Sequence, residues 1–268
     1  MQKLIYISGA SGQIGKALRE EISLQNIKTI VLGREEIEMY PNETFIKYNL
    51  GESIEPLSGE YIYIFIHLAY CFKDKKNNHE NINVIALKKI KECFDSKSHK
   101  RIIYLSTPDV NNKKSTTYTN VKKISEQVCD LKNDLVIRPS WIHSNKGINS
   151  IFSRFPNFYI PIPKNKNCIA PILLERFVEE LLGFSLNLNK VGIFLFVGKD
   201  SLSFKKYLKK FHNINAFFLP KILWRLIIFI LKKVNHDVSF YIIERIEGFI
   251  NIRDISSIRK EDIDEVII

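Results

Sequence analysis

The chain has 268 residues, 45% of them hydrophobic, enough to bury a sizeable core as one large domain or as a domain with an added lobe. It carries 40 Lys and Arg against 29 Asp and Glu, a formal charge of +11. The basic residues are spread along the chain, so short runs such as Lys73-Asp74-Lys75-Lys76 read as solvated surface and a nucleic-acid partner is not indicated. Cys71, Cys93, Cys129 and Cys168 form no C-x-x-C and have no paired histidine, which argues against a metal site or a disulfide framework and for a reduced, cytoplasmic protein.

The first predicted element is a strand at Leu4-Ile5-Tyr6-Ile7, which begins too early to leave room for a signal peptide. It runs into Gly9-Ala10-Ser11-Gly12-Gln13-Ile14-Gly15 and then a helix through Lys16, Ala17, Leu18 and Ile22. A strand, a tight glycine turn and a helix N-terminus make an anion site, because backbone N–H groups and the helix dipole point at whatever negative group sits there. Gly9 supplies the turn angles, Gly12 lets a phosphate approach the main chain, and Gly15 lets the helix pack on the strand. The glycines are spaced three and three, not two and three as in the commonest dinucleotide fingerprint. Further strands are predicted at 29–32, 44–48, 61–66, 101–105 and 135–137, each β-branched or aromatic and apolar on both faces. Helical spacing appears at 81–94 and 118–131. This alternation predicts an α/β fold with a doubly wound parallel sheet, Rossmann-like in form.

From residue 145 the pattern changes. Pro156, Pro161, Pro163 and Pro171 break 145–171 into loops and short pieces over a cleft. A helix at 173–186 and a strand at 192–197 follow, then helices at 203–211, 220–234 and 239–249. The expected division is a dinucleotide-binding domain over 1–144, to which a segment of about 169–198 returns, and a small substrate-binding lobe with C-terminal helices over 145–268. The apolar run 222–231, with Arg225 inside it and Lys221, Lys232 and Lys233 at its ends, falls short of the roughly 20 residues needed to span a bilayer. It reads either as a lobe-packing helix or as a peripheral membrane contact through 220–233.

Tyr118 and Lys122 are four apart at the start of a predicted helix, so their side chains share a face. A lysine ammonium beside a phenol favours the phenolate, and a tyrosine so tuned exchanges a proton with a carbonyl or hydroxyl oxygen near neutral pH. Ser106 and Thr107 lie at a strand end, where open α/β sheets bind ligands, and a hydroxyl there can hold a substrate oxygen against the tyrosine.

This constellation resembles the short-chain dehydrogenase/reductase superfamily, in particular its extended branch of nucleotide-sugar epimerases, dehydratases and reductases. Gly9, Gly12 and Gly15 match the family's glycine turn, and Asn49-Leu50 falls where Asp-Leu lies beside the adenine. His67-Leu68-Ala69 is similar to the H-x-A that runs along the cofactor, and Asn83-Val84 to the N-V of the next helix. Tyr104-Leu105-Ser106-Thr107 resembles the strand carrying the catalytic hydroxyl. Tyr118 and Lys122, with Ser125-Glu126, look like the Y-x-x-x-K helix, and Ile137-Arg138-Pro139 like the I-R-P near the nicotinamide. The resemblance implies hydride transfer to or from a nucleotide-sugar. Tyr118 would be the acid/base, Lys122 would tune it and hold the nicotinamide ribose, and Thr107, ahead of its neighbour Ser106, would position the substrate oxygen. The implied cofactor contacts are Gly9, Ser11, Gly12, Gln13, Ile14, Gly15, Arg34, Asn49, Leu50, Leu68, Ala69, Lys122 and Pro139.

Departures from the family pattern narrow the reaction. Dehydratases of this branch carry Asp-Glu after the catalytic Thr; here Pro108-Asp109 stands there, which argues against elimination and leaves Asp109 as a loop cap. Gly33-Arg34 replaces the acidic residue that would bind the ribose of NAD, and arginine suits a 2′-phosphate. NADP(H) is therefore favoured over NAD(H), and with it a keto-sugar reductase over an NAD-dependent epimerase. A non-catalytic NAD(P)-binding regulatory protein is the rival of another class. Arg154, Lys164 and Lys166 are basic candidates for a diphosphate in the lobe. The sugar, its nucleotide and the oligomeric state, homodimer included, are left open.

Overall fold

The computed structural model describes residues 1–112, 115–144, 159–163, 168–233 and 265–267. Its first strand, β1 (Gln2–Ser8), is buried on both faces because its apolar side chains enter two different cores. Ile5 and Ile7 pack in one with Leu18 and Ile22, while Leu4 and Tyr6 pack in the other with Leu87, Ile90 and Phe94. A strand apolar at every position is what a sheet covered on both sides requires.

After β1 come α1 (Gln13–Leu24), β2 (Thr29–Gly33), β3 (Glu43–Lys47), β4 (Tyr61–His67), α2 (Ile82–Phe94), β5 (Lys100–Leu105), α3 (Thr117–Glu126) and β6 (Leu135–Pro139). Next are β7 (Ile142–His143), β8 (Tyr159–Pro163), β9 (Cys168–Ile169), β10 (Ile172–Leu173), α4 (Leu174–Leu186) and β11 (Gly192–Phe196). The remaining described elements are β12 (Leu202–Ser203), α5 (Phe204–His212), β13 (Asn215–Leu219), α6 (Lys221–Lys233) and β14 (Glu265–Ile267). The main sheet has eight parallel strands in the order β14-β11-β6-β5-β4-β1-β2-β3. Strand order reverses at β1, between β2 and β4, which opens a crevice beyond the carboxyl ends of the strands. Helices α1 and α4 cover one face of the sheet and α2 the other.

Two buried arginines tie the layers together. Arg19 of α1 reaches Glu43 of β3 through Nε at 2.7 Å and Nη2 at 2.5 Å. Arg101 of β5 donates to the carbonyls of Phe184 and Asn187 at 3.2 and 2.6 Å, meeting the C-terminal end of α4, where backbone acceptors lack intrahelical partners. The smaller lobe pairs β7 with β10, β9 with β12 and β8 with β13. Its core gathers Ile162, Ile169, Leu208, Ile214 and the ring of Tyr207, whose hydroxyl lies 2.9 Å from His143 Nδ1.

Four features depart from the sequence expectation. The helix predicted to reach residue 131 ends at Glu126, because Val128 and Cys129 bond back to the carbonyls three residues earlier and Asp134 takes the Asp130 N–H. β3 is an edge strand paired only with β2, half exposed along its length and so not apolar on both faces. β8 is a strand where prolines suggested loops. Pro161 and Pro163 fall at alternate positions, so their missing donors share one edge and the other is left to pair with β13. β14 joins the main sheet beside β11, although it lies in the stretch assigned to the lobe. The helix expected at 239–249 lies outside the described residues, and among those described none is long and apolar enough to cross a membrane.

Candidate functional site

Because the sheet is parallel, β1, β4, β5 and β6 all end on one edge, and the chain immediately beyond them forms the site. Gly9 has φ +76°, and a Cβ there would lie 2.6 Å from the amide nitrogen of Ala69, so the turn and Leu68-Ala69 are pressed together. A Cβ on Gly15 would run into the Gly9 carbonyl and stand 2.7 Å from Ala10 Cα, so α1 reaches this depth only with glycine. Gly12 has ordinary extended angles (φ −70°, ψ 169°) and serves as the N-cap of α1 without a side chain to cap it. No acidic residue lies in the first turn, and Ser11, Gly12 and Gln13 are exposed. The helix therefore offers its N–H groups and positive end to solvent, a cradle that fits the pyrophosphate of a dinucleotide.

His67 closes the wall between β1 and β4. Its Nδ1 lies 2.7 Å from Ser8 Oγ, and its ring stacks on Tyr104 at 6.0 Å. Burial, assisted by the nearby Lys122 charge, pulls its pKa down to about 3, so the ring is neutral.

The acid/base pair is set by a capping box. Thr116 and Thr119 bond each other's backbone N–H, which starts α3 at Thr117 and puts Tyr118 and Lys122 one turn apart. Lys122 is buried; its Nζ donates to the Leu105 carbonyl at 2.6 Å and lies 4.9, 4.7 and 5.8 Å from the ring centroids of Tyr70, Tyr104 and Tyr118. Burial pulls its pKa down to about 7, against the opposing pull of Glu126 one turn on. Glu126 is itself held by Arg138, through Nε at 2.9 Å and Nη2 at 2.6 Å.

Both candidate hydroxyls stand at the end of β5. The Ser106 N–H donates to the Ile137 carbonyl at 2.7 Å, continuing the ladder to β6, and its Oγ is buried without a hydrogen-bond partner. Thr107 Oγ1 accepts the Asp109 N–H at 3.4 Å and caps a short 3-10 turn, Pro108–Asn111. Pro139 ends β6, opposite Phe196 of β11.

The remaining predicted contacts are more dispersed. Arg34 is exposed just past β2 and makes no ion pair with Glu35 or Glu36. Asn49 is engaged locally, its backbone N–H and Nδ2 each donating to Glu52 at 2.8 Å, while Leu50 packs against the second core. Arg154, Lys164 and Lys166 lie outside the described residues.

Sequence reasoning missed the aromatic lip over the pair. Tyr70 meets the Tyr118 ring edge-on at 5.0 Å, and Phe72 stacks on it at 5.9 Å. The buried amide of Asn83 holds this lip in place, accepting from the Cys71 N–H at 2.7 Å and donating to the Cys71 carbonyl at 3.0 Å. Asn83 was marked by the N-V motif, but its target was not. Ser8–His67 and Arg138–Glu126 were missed for the same reason: each joins residues on different elements.

No protein-family model matches the chain, and no curated protein matches it. Solved structures do. The Bacillus cereus UDP-N-acetylglucosamine 4-epimerase superposes with a TM-score of 0.64 at 12% identity, over 81% of this chain and 86% of that one. The terminal R domain of the myxalamid PKS-NRPS biosynthetic pathway gives 0.66 at 13%, over 97% and 84%. The UDP-glucose 4-epimerase of Thermus thermophilus, in complex with NAD, gives 0.60 at 12%, over 81% and 86%. The chain therefore has the Rossmann-like α/β fold of these epimerase structures.

Proposed function

We propose that the protein is an NAD(P)-dependent oxidoreductase that reduces a keto group of a nucleotide-sugar. The observation that carries this reading is the meeting, on one sheet edge, of an uncapped glycine turn with a buried lysine, a tyrosine one helical turn from it, and two strand-end hydroxyls. Gly9, Ser11, Gly12, Gln13, Ile14 and Gly15 hold the cofactor's pyrophosphate, with Leu68, Ala69 and Pro139 along its path and Asn49-Leu50 at the adenine end. The bound cofactor supplies a hydride to the carbonyl carbon. Tyr118 gives its phenolic proton to the carbonyl oxygen, so that one hydride and one proton convert ketone to alcohol. Lys122 favours the resulting phenolate by its charge, and Thr107, with Ser106 beside it, holds the substrate oxygen. Arg34, unpaired and exposed at the end of β2, supports NADP(H).

A second reading has its own support. Structures of similar fold are complexes with NAD, and one also holds UDP-glucuronic acid. An NAD-dependent sugar epimerase uses the same tyrosine, lysine and hydroxyl. Thermal unfolding with added nucleotide separates the two: protection by NADP(H) and not by NAD(H) supports the reductase, and the reverse supports the epimerase. Tyr118→Phe tests catalysis itself. Turnover of nucleotide-sugars should fall at least about 100-fold, while nucleotide protection is retained. Full activity in that variant removes Tyr118 from the mechanism.

A further inference from the structure

We propose that the outward face of α6 is a docking surface for the anionic face of a lipid bilayer. The helix buries Trp224 and Ile228, each 8% exposed and four residues apart, so one side is seated on the protein. Ile222, Leu223, Leu226, Phe229 and Ile230 are instead 42% to 74% exposed. At one residue per 100° these five fall in an arc of about 120° on the side opposite Trp224 and Ile228. A helix that only packs on a lobe points its apolar stripe inward and its polar residues outward; α6 is apolar in both directions. Phe217 and Phe218, just before it on β13, are 43% and 45% exposed and extend the patch.

Charge identifies the occupant. The helix sequence contains Lys221, Arg225, Lys232 and Lys233 and no acidic residue. Lys233 Nζ lies 4.8 Å from the Phe229 ring, and Lys205 Nζ of α5 lies 5.5 Å from the Phe218 ring, so cations stand at the border of the apolar surface. A second copy of the chain would press this basic border against itself. An anionic bilayer complements it, with apolar side chains entering the acyl boundary and cations meeting headgroup phosphates. The 13 residues of α6 rise about 20 Å, short of the roughly 30 Å hydrocarbon core, so the helix lies in the interface. None of these residues belongs to the sheet-edge site, so this inference stands or falls apart from the catalytic reading.

Co-sedimentation of the full chain with sucrose-loaded vesicles tests it. Wild-type protein should pellet with vesicles of phosphatidylcholine and phosphatidylglycerol, less with phosphatidylcholine alone, and less again as salt is added. Leu226→Ser with Phe229→Ser should lower partitioning at least about tenfold, with the far-UV spectrum and melting midpoint checking that the fold is kept. Arg225→Gln with Lys233→Gln, which leaves the apolar arc intact, should reduce only the preference for anionic vesicles. Equal partitioning by the Leu226/Phe229 variant overturns the proposal, as does a wild-type protein that stays in the supernatant. In that second case sedimentation velocity assigns the face. A dimer that the same variant dissociates gives it to a second copy, and a monomer gives it to the chain's own residues 234–264.

Discussion

His67 and Lys122 are both bases held inside the protein at the sheet edge, and both have lost proton affinity. His67 drops from 6.5 to about 3 and Lys122 from 10.5 to about 7, in each case chiefly because burial disfavours the charged form. Between about pH 3 and 6.5 the unfolded chain binds a proton at His67 that the native protein does not. Stability is therefore fully present above that window and is lost as pH falls through it, by up to about 1.4 kcal/mol per pH unit. Lys122 acts with the same sign higher up, so that stability rises with pH between about 7 and 10.5. His67→Gln should flatten the acid limb, read from urea midpoints near pH 4 and pH 6; an unaltered slope would place the charge elsewhere. Lys122→Met should lose activity and flatten the alkaline limb together. Of these residues, the Tyr118–Lys122 spacing was legible in the sequence because both lie on one helix. The depth of Lys122, its bond to Leu105 and the ring of Tyr70 over it were not, because β4 and β5 supply them.

Among the elements, the legible ones were those with strong local signals. The apolar runs of β1, β2, β4, β5 and β6 and the helical period of α2 marked themselves. Asn81 starts α2 by accepting the Asn83 N–H at 3.0 Å. What failed were boundaries decided by long-range contacts: the early end of α3 depends on Asp134, and β8 exists because β13 lies beside it. The segment between β4 and α2 is the clearest case. Residues 70–72 have no periodic pattern, yet Asn83 fixes Cys71 from α2 and so sets Tyr70 and Phe72 against Tyr118. Asn83→Ala should cost about 1–3 kcal/mol by leaving buried backbone groups unpaired. It should also speed hydrogen exchange at the Cys71 amide and raise KM for the sugar. A Cys71 amide that stays protected would show that the lip is held by other means.

At the scale of the whole molecule, the doubly wound order follows from strands that are apolar on both faces, and so from composition. The placement of the eighth strand does not. Glu265–Ile267 carries three residues of signal, too few for any pattern, and it finds its place only because β11 offers an open edge. That pairing is reinforced by Lys190 Nζ meeting Glu265 at 2.5 Å and by Ile267 accepting the Val197 N–H at 2.9 Å. Replacing residues 265–267 by Gly-Ser-Gly should leave nucleotide binding intact, since the site lies across the sheet at β1, β4 and β5. It should lower the melting midpoint and promote aggregation, which light scattering during a thermal ramp measures.

The same strand has a consequence for the order of events in folding. Phe194, Leu195 and Phe196 are buried in the finished sheet, but their edge is covered by residues that the ribosome delivers long after them. Until residues 265–267 emerge, the nascent chain presents an unpaired, apolar strand edge, the surface on which chains join one another in error. Synthesis rate and chaperone supply should therefore govern the yield of soluble protein more strongly than the stability of the completed fold does.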